Sequence, residues 1–394
     1  MGGMTQSRLS CEGPAAIYPI LFLLGLTSTT GQLVLMRELV ATFFGNELVL
    51  GLILAAWLAW VAAGAWVVGP RLRRAGMRIM VFVMMLAAAL LTTEILLVRA
   101  SRKLMGVTPG VLVGLAPLTL TTVLVLAPLC LVAGVQFTLG ARLVVQRGGR
   151  VGSAYVAESL GAVTGGALFT FLLVQVLNPV QIVLVVGVLN LVLAAHLELG
   201  VRWRAAAAGL LLLALAIPLG GWLNRATLDW QYDNLRCSED SVYGRTVVTG
   251  TGEQRAFFEN GLLFFETQGV GSEEVAHLPL LAHPAPRRVL LVGGGVDGTL
   301  AQVLVHPSVS AVDYVELDPL VVKAARAELP AGQAAVLDDP RVRVVHTDGR
   351  LYVRNPSIAM ESADPHAAIE TPTLPESLAY DVIILALPEP CLLY

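Results

Sequence analysis

Seven apolar runs, each about 20 residues long, fill most of residues 16–223. They constrain this chain more than any other feature, because about 20 predominantly apolar residues are what a helix needs to cross bilayer hydrocarbon. The runs are 16–36, 48–69, 79–98, 110–135, 153–176, 179–199 and 205–223. The first also has signal-peptide length, but only Arg8 flanks it and no small-residue cleavage pattern follows, so it reads as a retained span. The whole chain is 56% hydrophobic and 14% charged, with a mean hydropathy of +0.72, which excludes an ordinary soluble domain.

Charge divides the chain in two. Residues 1–222 hold 14 Lys and Arg, six Glu and no Asp; the remainder holds 12 Lys and Arg against 23 Asp and Glu. The net charge of −3 is an average over unlike halves, with a boundary near Asp229, the first aspartate. Arginines cluster between runs: Arg71, Arg73, Arg74 and Arg78; then Arg142, Arg147 and Arg150; then Arg202 and Arg204. The positive-inside rule places those loops and the N-terminus in the cytoplasm. Seven spans would then leave the C-terminal half outside, whereas an adenosine-type ligand favours the cytoplasm. That conflict points to one span fewer or one re-entrant segment, in 16–47 or in the proline-bearing 104–140. Cys11, Cys130, Cys237 and Cys391 show no pairing or metal-ligand spacing, and no metal site is expected.

Ionisable residues inside apolar spans are costly and often functional. Glu94, Glu158 and the Arg37–Glu38 pair are the candidates. Glu158 lies in "GSAYVAESLGAVTGG", whose small residues read as a helix-packing face. Several polar groups on one face, as a transport pathway would need, are lacking.

Residues 241–266 alternate in short runs, and Asn260-Gly261 is a strong hairpin turn, so a small antiparallel sheet is expected. "VAHLPLLAHP" reads as a short helix ended by Pro284. Strands and helices then alternate, the pattern of a parallel sheet: "RRVLLV", "VSAVDYVELD", "RVRVVHTD" and "AYDVIILAL" are the strands. Ligands of such sheets bind at the carboxyl ends of the strands. Those ends carry Gly293, Gly294 and Gly295, then Glu316, then Asp348-Gly349, then Ala386. Glycines let backbone approach a ligand and take positive φ. Glu316, 18 residues beyond Gly298, is placed for two ribose hydroxyls, and Asp348 for an exocyclic amine. The combination points to an adenosine-containing ligand.

From about Ser238 to Pro390 the chain resembles the spermidine synthase (polyamine aminopropyltransferase) family in its membrane-fused form. The stretches are "SEDSVYGRTVV", "FFENGLL", "AHLPLLAHPAPRRVLLVGGG", "HPSVSAVDYVELDPLVV", "DPRVRVVHTDGRLYVR" and "YDVIILALPEP". "GQLVLMRELVATFFGNELVLGLILAAWLA" is similar to the membrane segments attached to such domains. The resemblance implies transfer of an aminopropyl group from decarboxylated S-adenosylmethionine to a small-molecule amine such as putrescine, without a metal. It also implies a homodimer and no nucleic-acid partner. The nucleoside would be held by Gly293, Gly294, Gly295, Glu316, Asp348 and Gly349, with Asp297 facing the donor's amino group. In the family an aspartate after the fourth strand takes the amine's proton.

The departures from that pattern are specific. "ALPEP" puts Ala386 where the catalytic aspartate belongs and Glu389 at the second acidic place, so no catalytic residue is assigned and Glu389 is at most a weak substitute. Val296 follows the glycines, with Asp297 one step later, and "TQGVGSEE" leaves only Glu273 and Glu274 at the acceptor side. The insert 355–379 reads as a disordered loop. The fold type continues past the fourth strand, whereas this chain stops at Tyr394, which reads as a truncated product with an open sheet edge.

The expected architecture is therefore a multi-pass helical domain, 1–225, in a bacterial-type inner or plasma membrane. A β-hairpin region, 238–284, and an incomplete Rossmann-like domain, 285–394, follow it. The expected function is aminopropyl transfer, with no appreciable rate in this chain. The alternatives are a non-catalytic membrane protein binding an adenosyl ligand, and an NAD-type dinucleotide-binding protein.

Overall fold

The computed structural model describes residues 14–44, 47–72, 75–199, 202–354 and 380–387. The insert 355–379 and Glu389 lie outside the described residues. The chain forms two compact units, Met1–Asp233 and Asn234–Tyr394.

The N-terminal unit is helical: α1 (Tyr18–Phe43), α2 (Glu47–Ala63), α3 (Met77–Leu104), α4 (Leu115–Gln146), α5 (Val151–Leu168), α6 (Pro179–Leu199) and α7 (Arg202–Leu228). Helix α2 is prolonged to Leu72, and α5 to Val176, through π-turns. Among the described residues, seven helices are thus long and apolar enough to cross a membrane. Helix α1 runs past the Arg37–Glu38 pair to Phe43, and the 104–140 region contains one continuous helix from Leu115. Residues 18–43 and 115–146 are thus regular helix, with turns and loop over 105–114, and Glu38 is tolerated in α1 because it is partnered within the bundle. Arg99 of α3 donates to both oxygens of Glu38 through Nε and Nη2, each at 2.9 Å. It also donates to Thr227 Oγ1 at 2.7 Å and to Asn224 Oδ1 at 2.8 Å. Arg99 and Glu38 are both fully buried. Helices α1 and α5 cross at backbone contact: a Cβ on Gly161 would stand 1.8 Å from the Phe22 carbonyl oxygen, and one on Gly25 1.9 Å from that of Glu158. Small residues at this crossing let the backbones meet.

The C-terminal unit opens with an antiparallel sheet in the order β1–β2–β3–β4: β1 (Leu235–Asp240), β2 (Arg245–Thr249), β3 (Ala256–Glu259) and β4 (Leu262–Glu266). The first of these strands is additional to the expected hairpins. Its polar run Cys-Ser-Glu-Asp lacks an apolar alternation, and it is held by its ladder with β2. Helix α8 (Gly271–Leu281) follows, then β5 (Arg288–Val292), α9 (Thr299–Val305), β6 (Ala311–Glu316), α10 (Pro319–Glu328), β7 (Val342–His346), α11 (Gly349–Arg354) and β8 (Val382–Leu385). These four strands form a parallel sheet in the order β7–β6–β5–β8. Leu290, Leu291, Val312 and Tyr314 are buried in its centre, as expected of strands covered on both faces. Asp318 begins α10 by accepting the Leu320 N–H at 2.9 Å, and Pro319 occupies the first helical position.

Candidate functional site at the strand ends

Parallel register decides which residues share the carboxyl edge. Val292 pairs with Val315 on one side and with Leu385 on the other, and Glu316 pairs with His346. One step further along, Ala386, Gly293, Glu316 and His346 form a row across the sheet on one face. The sequence motifs pointed to three of these four positions; His346 was missed. Its Nδ1 is buried with no hydrogen-bond partner among the described residues, a property that periodicity does not reveal.

The glycine turn is shaped by its own chain. Gly293 and Gly294 have φ of 71° and 65°, which only glycine adopts without strain. A Cβ on Gly294 would stand 2.4 Å from the Ala386 methyl, so the side chain of residue 386 points at this turn. A Cβ on Gly295 would stand 2.5 Å from the ring of Tyr314, which is fully buried. Tyr314 in turn donates its hydroxyl to Glu316 Oε2 at 2.8 Å. Gly295→Ala is therefore expected to displace that ring and loosen Glu316. The C-terminal unit should lose about 1–3 kcal/mol, as other overpacked cores do. Urea unfolding of the full chain measures this.

Glu316 is braced beside the turn, while Asp297 lies against it, with Oδ2 3.2 Å from where a Cβ on Gly294 would stand. Tyr314 and the Asp318 N–H (3.4 Å) take one lone pair on each oxygen, which leaves others for hydroxyl groups. The antiparallel sheet closes over this end, since Ser241 hydrogen-bonds Asp318. Glu259 of β3 lies near enough to feel both Glu316 and Asp318.

Asp348 and Gly349 reach the same edge: a Cβ on Gly349 would meet Val292 at 2.5 Å. The Asp348 carboxylate, however, folds back on its own loop. It accepts the Arg350 N–H at 2.7 Å and pairs with the guanidinium at 2.9 Å. Asp297 accepts the Thr299 N–H at 2.8 Å and so starts α9. Asp297 also lines a cavity of about 150 Å³ beside Gly295 and Gly298, together with Ser272, Gln302 and Leu337; neither Glu316 nor Asp348 lines it. Glu273 and Glu274 are exposed on α8. No group of three or more His, Cys, Asp or Glu able to hold a metal occurs among the described residues.

Burial sets the acidity here. It pushes the carboxyls of Glu259, Glu316 and Asp297 above their usual range, and like charges nearby add to this at Glu259. Arg350 holds Asp348 down at about 2. A carboxyl whose folded pKa is raised stabilises the fold fully below its unfolded value of about 4, and that contribution is lost as pH rises through the folded value. Asp348 acts oppositely, and its contribution disappears only as pH falls towards 2. Going from pH 7 to about 5, the raised carboxyls favour the fold, while His306, whose pKa is lowered by burial and by the neighbouring His277, opposes them. In His306→Gln the ligand-free C-terminal unit should therefore become more stable, which hydrogen exchange in β5 and β6, corrected for its intrinsic pH dependence, will register.

The model of the spermine/spermidine synthase domain matches residues 269–392, a range that contains the glycine turn, Glu316, Asp348 and Ala386. These residues belong to that family. The C-terminal region thus has a spermidine synthase-like methyltransferase fold. Polyamine aminopropyltransferase 2 of Streptomyces coelicolor is 33% identical over 265 residues, which are 62% of this chain and 44% of the relative. The polyamine aminopropyltransferase of Desulforudis audaxviator is 43% identical over 139 residues, 34% of this chain and 47% of the relative. Putrescine N-methyltransferase 2 of Nicotiana attenuata is 34% identical over 140 residues, covering 34% and 35%. The chain therefore spans less than half the length of each of these relatives. The match to the Streptomyces protein is longer than the synthase domain itself.

Proposed function

We propose that this protein is a membrane-embedded, spermidine synthase-like aminopropyltransferase chain that binds decarboxylated S-adenosylmethionine at the strand-end row. The observation that carries this reading is Glu316, in register beside Gly293 and steadied by Tyr314, within the residues matched by the family model. In this reading Glu316 accepts the two ribose hydroxyls and the turn 293–295 lets the nucleoside approach the backbone. Asp348 and Gly349 border the adenine once Asp348 turns from Arg350. Asp297, in the adjoining cavity, is the acid for the donor's amino group. Seven apolar helices support a membrane setting. The nucleoside ligand supports a cytoplasmic face for residues 234–394, which with a cytoplasmic N-terminus requires that one of the seven helices does not cross; a C-terminal reporter fusion would check it.

In the reaction the amine nitrogen forms a bond to the carbon beside the sulfonium, the carbon–sulfur bond breaks, and methylthioadenosine leaves. The nitrogen must give up a proton, and residue 386, aimed at the turn, offers only a methyl group. General-base catalysis contributes about 10²–10⁴-fold, so turnover should be slower than in an aspartate-bearing relative by about that factor. Calorimetry on the purified full chain tests the binding reading: saturable uptake of decarboxylated S-adenosylmethionine with no uptake of NAD supports it, and the reverse refutes it. Spermidine formation from putrescine at a relative's rate would refute the argument from Ala386.

A further inference from the structure

Glu94 sits in the middle of α3 and is 1% exposed. Its Oε1 accepts the backbone N–H of Leu129 in α4 at 2.8 Å, while Oε2 has no partner among the described residues. Leu129 follows Pro128, which lacks an N–H and disturbs the helix ladder, so the next amide donates sideways to a neighbouring helix.

The two buried arginines of α3 are committed elsewhere. Arg99, on the same helix, spends its fork on Glu38, Asn224 and Thr227. Arg102 donates to the carbonyl oxygens of Thr42, Thr108 and Val111. Of the other helices packed on α3, α1 brings Tyr18, Arg37 and the paired Glu38, and α4 brings Cys130 together with Arg142, which bonds the Leu72 carbonyl. Helix α6 contributes His196 in its last turn, and α7 contributes Arg225, which is exposed. Among the described residues no cation contacts either oxygen of Glu94. An ionised carboxylate there would leave one charged oxygen with no donor among the described residues, whereas the neutral acid leaves only a hydroxyl.

We propose that Glu94 is a proton-binding carboxyl inside the helical unit, held as the neutral acid and modified, when the bundle opens locally, by a carbodiimide that dissolves in hydrocarbon. In that modification the acid's proton passes to one carbodiimide nitrogen while the carboxyl oxygen adds to the central carbon. The O-acylisourea then rearranges to a stable N-acylurea, with no oxidant or leaving group. The inference does not depend on the aminopropyl reading.

The test treats the full chain in lipid vesicles with dicyclohexylcarbodiimide and maps the adduct by peptide mass spectrometry. Glu94 is expected to carry the adduct at neutral pH, and labelling should fall in alkaline buffer. Glu38 is equally buried but ion-paired, and should stay unlabelled. Glu94→Gln, which keeps an acceptor for the Leu129 amide, should lose the adduct and melt within a few degrees of the native chain. No adduct at Glu94, equal labelling of Glu38, or a collapse of thermal stability in Glu94→Gln would each overturn the proposal, the last because it would reveal a charge that the bundle relies on.

Discussion

Arg99→Ala is expected to be the most damaging single substitution in the N-terminal unit. It removes the cation of a fully buried, bidentate ion pair and strands the Glu38 carboxylate in the bundle. Breaking a buried pair by deleting one partner costs about 3–5 kcal/mol, because the remaining charge stays unpaired. The thermal midpoint of the detergent-solubilised chain should fall by about 10 °C. Arg99 also ties α7 to α3 through Asn224 and Thr227, so the loss should loosen three helices at once. Arg99→Lys keeps the charge but not the planar fork and should recover only part of the stability. Replacing both Glu38 and Arg99 by methionine should recover most of it, since removing the pair also removes its desolvation cost. If Arg99→Ala and the wild type melt together, the pair is not what holds these helices.

Glu316→Gln should be the most damaging change for ligand binding. A carboxylate hydrogen bond to a sugar hydroxyl is worth about 1.5–3 kcal/mol, so calorimetric affinity for decarboxylated S-adenosylmethionine should fall about 10- to 100-fold. The fold should survive, because the amide oxygen can still accept the Tyr314 hydroxyl. Binding by the native chain should weaken as pH falls towards 5, since Glu316 must be ionised and burial raises its pKa. The Glu316 contribution to stability and the binding of ligand therefore move in opposite directions over that window. An unaltered affinity in Glu316→Gln would remove the ribose contact from the reading.

Over residues 269–392 the family model agrees with the motif string, and the reason is physical. Alternating strands and helices, a glycine run and strand-end acids are local features that a parallel sheet has to display. The seven apolar runs were equally plain, although their ends were not: α1 extends through Arg37 and Glu38 because Arg99 lies waiting on another helix. Nothing near Glu38 in the sequence signals that partner, 61 residues away.

Order along the chain determined which residues end each strand, and so placed Gly293, Glu316, Asp348 and Ala386 at one edge. Tertiary structure decided what each of them does there. Ala386 packs on Gly294, Tyr314 braces Glu316 beneath Gly295, and Asp348 turns to Arg350. It also left one oxygen of Glu94 without a partner among the described residues. Strand ends are set by short-range pattern, whereas the direction and charge of a side chain depend on neighbours brought from distant parts of the chain.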